Sequence, residues 1–88
     1  MSKTRATITV DIGYELVSLT LTARNWSRIK SGKSLDIRGK GYVYEGQFFW
    51  DRWSFEGGLE GELNVYYGND GGHGFSGKLS GADIVEHK

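Results

Sequence analysis

The sequence predicts an all-β domain: a small antiparallel meander, rolled sheet or barrel of five to seven strands, with one short helix after strand 2. Three observations predict it. Apolar and polar residues alternate strictly through several runs rich in β-branched and aromatic side chains. Fourteen glycines punctuate those runs in a chain of 88 residues that has no proline. One stretch, residues 23–32, breaks the alternation and carries helix-end signals. A flat sheet of this size would leave long edges open, which favours a roll or barrel.

The elements follow in order. From Arg5 to Asp11, Ala6, Ile8 and Val10 alternate with Thr7 and Thr9, the pattern of a half-buried strand. Ile12-Gly13-Tyr14 reads as a turn. Glu15 to Thr22 alternates again through Val17, Leu19 and Leu21, completing a hairpin. Thr22 or Asn25 is placed to cap a helix, Trp26 and Ile29 share one helical face, and Gly32 sits where the helix stops. Trp26 is expected to plug one end of the roll. Residues 33–45 read as one long strand and 47–56 as its return, joined by Glu45-Gly46. Residues 61–68 form the next strand, 68–74 a glycine-rich loop, 75–80 a last or edge strand, and 81–88 a short strand or docked tail. No linker or repeat divides residues 1–88, so a single domain is expected.

A two-residue loop at Glu45-Gly46 sets the hairpin register. Val43 then faces Phe48, and Gly41 faces Trp50. On the other side Tyr42 faces Phe49, Lys40 faces Asp51 and Arg38 faces Trp53. Each is a favourable cross-strand pair. In this register one face carries Leu35, Ile37, Val43, Phe48, Trp50, Leu63, Val65 and Tyr67, the expected core. The opposite face carries Arg38, Lys40, Tyr42, Tyr44, Phe49, Asp51, Trp53, Phe55, Asn64 and Tyr66. Six aromatic residues among charges are unusual for a solvent face. Three readings fit: a second half of the core beneath the helix and first hairpin, a self-association interface, or a ligand-binding face.

Composition limits the function classes. Eleven Lys/Arg balance eleven Asp/Glu, so the chain lacks the basic field of a nonspecific nucleic-acid binder. The charge is uneven: six basic groups against one acidic in residues 24–40, and five acidic against one basic in 45–62. The simplest consequence is mutual neutralisation between neighbouring strands. No cysteine is present, which removes disulfides and thiolate zinc sites. No apolar run is long enough for a membrane helix, the N-terminal residues do not read as a signal peptide, and a cytoplasmic location is expected.

Chemical motifs are weak. Asn69-Asp70-Gly71-Gly72-His73-Gly74 lacks the spaced oxygen ligands of a calcium loop and the following helix of a phosphate loop. Asp51 and Glu56 fall on opposite faces, and Glu60 and Glu62 flank a loop glycine, so no carboxylate pair spans a cleft. His73 and His87 have no triad partner at a usable spacing and are expected to face solvent. No catalytic residue, metal site or cofactor is expected. The expectation is a non-enzymatic protein-interaction module, binding a partner protein or a second copy in a homodimer. Its site is Arg38, Lys40, Tyr42, Tyr44, Phe49, Trp53 and Tyr66. The alternative is a carbohydrate- or single-strand-nucleic-acid-binding module stacking its ligand on that face.

Overall fold

The computed structural model describes residues 4–13, 15–68 and 72–87. Strand β1 (Arg5–Asp11) pairs antiparallel with β2 (Leu16–Leu21), and the chain then enters helix α1 (Ala23–Lys30). Strands β3 (Leu35–Arg38), β4 (Tyr42–Tyr44), β5 (Gln47–Phe49), β6 (Asp51–Glu56), β7 (Glu62–Tyr67) and β8 (Gly72–Lys78) follow. A single 3-10 turn (Leu79–Gly81) leads into β9 (Asp83–His87).

The strands form three antiparallel sheets, ordered β2-β1-β9, β3-β6-β7-β8 and β4-β5. Among the described residues no closed barrel forms, and the order is not a simple meander, because β9 returns to pair with β1. The expected long strands 33–45 and 47–56 each break in two, at Gly39–Gly41 and at Trp50. Strand β8 begins at Gly72, inside the segment expected to be loop; Phe75 faces Val65 and packs on the core, and the register shifts between Val65 and Tyr66. The Tyr14 part of the first turn and residues 69–71 of the glycine loop lie outside the described residues.

One core joins the two larger sheets and the helix. Ala6, Ile8, Val10, Val17, Leu19 and Leu21 face Trp53, Phe55, Leu63 and Val65, with Trp26, Ile29, Ile12 and Leu79 completing the cluster. Full burial of side chains of this size contributes about 1.5–3 kcal/mol each before conformational entropy is subtracted. The outer surface of β1-β2-β9 is polar. The Thr7 and Thr20 hydroxyls lie 3.1 Å apart, and those of Thr9 and Ser18 lie 2.8 Å apart. His87 is exposed as expected, with Nε2 2.8 Å from the Thr7 hydroxyl.

Helix α1 forms where its end signals place it. The Thr22 hydroxyl accepts from the Asn25 amide at 3.2 Å, so Thr22 is the cap. At the far end Gly32 N–H donates to the Ile29 carbonyl and Lys33 N–H to the Arg28 carbonyl, a Schellman stop. Trp26 is buried, and its indole N–H donates to Glu86 Oε2 of β9 at 2.7 Å. Lys30 Nζ lies 3.2 Å from the same oxygen and 5.3 Å from the Trp26 ring centroid. Helix and last strand are thereby tied together through one carboxylate. Replacing Glu86 by Ala removes the acceptor and is expected to destabilise the fold by about 1 kcal/mol in urea unfolding. Lys30→Ala, on an exposed ion pair, is expected to cost less than about half of that.

Candidate functional site

The site is organised by one change of register. From Leu35 to Arg38, β3 pairs with β6 so that Leu35 faces Phe55, Ile37 faces Trp53 and Arg38 faces Arg52. The Gly39 amide continues this register by donating to the Asp51 carbonyl at 3.0 Å. Beyond it, Tyr42 faces Phe49, Val43 faces Phe48 and Tyr44 faces Gln47. Two residues, Lys40 and Gly41, therefore oppose the single residue Trp50. This is one extra residue on one strand, the count of a β-bulge.

Asp51 holds the bulge in place. It is 2% exposed and is the one buried charged residue among those described. One carboxylate oxygen accepts from the Gly41 amide at 2.7 Å, the other from the Trp53 indole N–H at 2.6 Å. A buried carboxylate without such donors would be strongly unfavourable. Gly39 and Gly41 make the arrangement possible. A Cβ on Gly39 would collide with the Asp51 carboxylate. Gly41 takes φ +80°, a conformation that L side chains resist, and the Phe48 ring lies against it. The aromatic covering Gly41 is thus Phe48 rather than Trp50.

The extra residue reverses which side of the chain faces inward between β3 and β4. On β3 the inward residues are Leu35 and Ile37; on β4 the residue packed on the core is Tyr42. The expected core face is therefore corrected. Leu63 and Val65 are buried, and Leu35, Ile37 and Tyr67 pack against them, as expected. Val43 and Phe48 are instead 62% and 56% exposed, and Trp50 is half-buried. Asp51, Trp53 and Phe55, expected on the opposite face, lie in the core.

The seven expected site residues divide among three places. Trp53 is 0% exposed, its ring enclosed and its N–H committed to Asp51. Tyr42, Tyr44 and Phe49 sit together on the β4-β5 hairpin, half-buried, with the Tyr42 and Phe49 rings stacked at 5.6 Å and 25°. Arg38 and Tyr66 lie on the outer face of the four-stranded sheet, where Arg38 faces Arg52 and Arg52 faces Tyr66. The Arg52 guanidinium lies 4.8 Å from the Tyr66 ring centroid, a cation–π contact. Lys40, exposed in the bulge, lies between the hairpin and that face. The expected Arg38–Trp53 and Lys40–Asp51 pairings are absent from the observed ladder.

Val43, Phe48 and Arg52 join the candidate surface without having been expected there. The signal in the sequence is the pair Gly39 and Gly41 around a lysine, opposite an aspartate that alternates with Trp53 and Phe55. An acid in an apolar alternation requires nearby donors, and two close glycines let the backbone approach to supply them.

The β4-β5 hairpin closes through Glu45 (φ 50°) and Gly46 (φ 77°), the two-residue turn expected. Among the described residues its strands make up a two-stranded sheet of their own, so it stands as an arm on the Asp51 pivot. Among the described residues no group of three or more His, Asp or Glu side chains is placed to hold a metal ion. No helix is long and apolar enough to cross a membrane. Comparison with protein-family models, curated proteins and solved structures finds no match to this chain.

Asp51→Ala leaves the enclosed Trp53 N–H without an acceptor and is expected to cost about 2 kcal/mol in urea unfolding. Trp53→Ala removes a core ring and is expected to cost about 3–5 kcal/mol, a large fraction of the stability of a small domain. Gln47→Ala, on the exposed side of the arm, is expected to leave the unfolding midpoint nearly unchanged, which separates arm residues from core residues in one series.

Proposed function

We propose that this chain is a non-enzymatic protein-interaction module whose contact element is the β4-β5 arm, and that the arm pairs with its counterpart on a second copy. The observation that carries this reading is the exposed, directly paired Val43 and Phe48 on a hairpin outside both larger sheets. An isolated two-stranded hairpin is marginally stable in water, and three or more strands with an apolar face are needed for independence. Two arms meeting about a two-fold axis supply four strands and cover both Val43–Phe48 pairs. The zero formal charge of the chain sets no net repulsion against this. A domain without disulfides gains stability from such association. The cysteine-free composition is compatible with a cytoplasmic setting.

A second reading is a sugar or single-stranded nucleic acid bound by stacking. One contact favours it, the Arg52–Tyr66 pair beside Arg38. Against it, Tyr42 and Phe49 are stacked on each other and Trp53 offers no exposed ring. The protein-contact reading uses the exposed apolar pair that the stacking reading leaves unexplained.

Light scattering on a sizing column at high micromolar concentration tests the proposal. The wild type is expected at twice the 9.8 kDa chain mass. The double variant Val43→Ser with Phe48→Ser is expected at the single-chain mass with an unchanged circular dichroism spectrum. A wild type that stays monomeric contradicts self-pairing and leaves the arm to a different protein. A double variant that loses its fold means that the pair serves stability instead.

A further inference from the structure

The roll fails to close along one seam, and that seam has its own chemistry. Among the described residues β2 pairs with β1 alone and β3 with β6 alone, so each is the outermost strand of its sheet. The two border a common cleft of about 420 Å³. Its walls are residues 18–22 on one side and 37–40 on the other, with Asn25 of α1 at one end. These are consecutive residues. A strand presenting a face would contribute alternate residues, so the cleft is walled by strand edges. An edge turns unpaired backbone N–H and C=O groups outward, ready to pair with another chain.

The geometry points to a binding site for an acidic peptide segment in extended conformation, laid into the β2/β3 seam as an added strand. The charge of the lining selects acidity: Arg38 and Lys40 are its two ionisable residues, and it holds no carboxylate. Neither cation is in an ion pair among the described residues. Arg38 also faces Arg52 directly across the ladder, and the nearest carboxylate, Asp51 behind Gly39, is buried and committed to the Gly41 and Trp53 donors.

The state of the lining hydroxyls selects a peptide. The Thr22 hydroxyl caps α1, the Thr20 hydroxyl meets Thr7, and the Ser18 hydroxyl meets Thr9. What remains for a ligand is largely the backbone ladder of the edges, and an extended peptide carries the matching ladder at the inter-strand spacing of about 4.8 Å. Carboxylates on such a strand would reach Arg38 and Lys40. A nucleic acid would satisfy the cations but carries no ladder for the edges.

The seam is distinct from the Val43–Phe48 pair, so the two proposals fail separately. The probe is a fluorescein-labelled octapeptide of alternating Glu and Val, followed by anisotropy, with an alternating Lys–Val octapeptide and a labelled oligothymidine as comparisons. The Glu–Val peptide is expected to bind saturably and the Lys–Val peptide not to bind. Arg38→Glu with Lys40→Glu is expected to weaken binding about tenfold or more, and the milder Arg38→Gln with Lys40→Gln by less. Amides within 18–21 and 37–40 are expected to gain protection from hydrogen exchange on binding. The arm variant Val43→Ser with Phe48→Ser is expected to bind the peptide as the wild type does. Several results overturn the proposal: no saturable binding, binding indifferent to the charge reversals, protection elsewhere in the chain, or oligothymidine preferred over the peptide. Charge-reversed chains that aggregate when the wild type binds no peptide would assign Arg38 and Lys40 to guarding the edges, and would overturn it too.

Discussion

The buried carboxylate of Asp51 is the constraint on which the rest of the architecture turns. Buried at the start of β6, on the same side of the strand as Trp53 and Phe55, it must find donors within the fold. It takes one from the Trp53 indole and one from the Gly41 backbone. The second bond draws the chain in at Gly41, and the glycine at 39 leaves room for the carboxylate. One residue of slack follows, and the two ends of the expected long hairpin part company. The inner half joins β7 in the four-stranded sheet. The outer half becomes an arm with Tyr42 on the core and Val43 and Phe48 in solvent. A single-residue slip is enough because side chains alternate with a period of two.

Much of the fold is legible in the sequence where its causes are local. The alternation of Ala6, Ile8 and Val10 with threonines yields β1, and Leu63 and Val65 yield β7. Thr22, Trp26, Ile29 and Gly32 mark the start, buried face and stop of α1. Glu45-Gly46 marks its turn, and the expected pairs Tyr42–Phe49 and Val43–Phe48 beside it hold. The failures begin at Gly41, just inward of Tyr42. Extending one register inward produces pairs that look favourable, Lys40 with Asp51 and Arg38 with Trp53. The observed ladder places Arg38 against Arg52, a like-charge pair that cross-strand preference would reject. Burial of Trp53 and Phe55 outweighs that local cost. The return of β9 to β1 is equally illegible, since a pairing across most of the chain has no local signal.

The candidate site was legible in composition more than in place. Tyr42, Tyr44, Phe49 and Tyr66 remain outside the buried core, and Trp53 does not, because the face on which they were drawn together is two surfaces. What they leave is a molecule with two open features of different character. The arm presents apolar side chains, and its proposed counterpart is apolar. The seam presents strand edges beside two cations, and its proposed ligand is an extended acidic chain. Both arise because the chain does not close into a barrel. The arm draws residues 42–49 out of the larger sheets, and β3 is left short, with an uncovered edge across from β2.

The most direct test of this account is the cross-strand nuclear Overhauser pattern of the wild-type hairpin in solution. Contacts between facing backbone protons are expected for Ile37–Trp53 and Arg38–Arg52 on the inner side of the bulge. Tyr42–Phe49 and Tyr44–Gln47 contacts are expected on the outer side, with the Trp53 indole proton slow to exchange. A single uninterrupted register, with Arg38 opposite Trp53, Lys40 opposite Asp51 and a freely exchanging indole, would contradict it. The Asp51 pivot would then be absent and the division into arm and sheet with it.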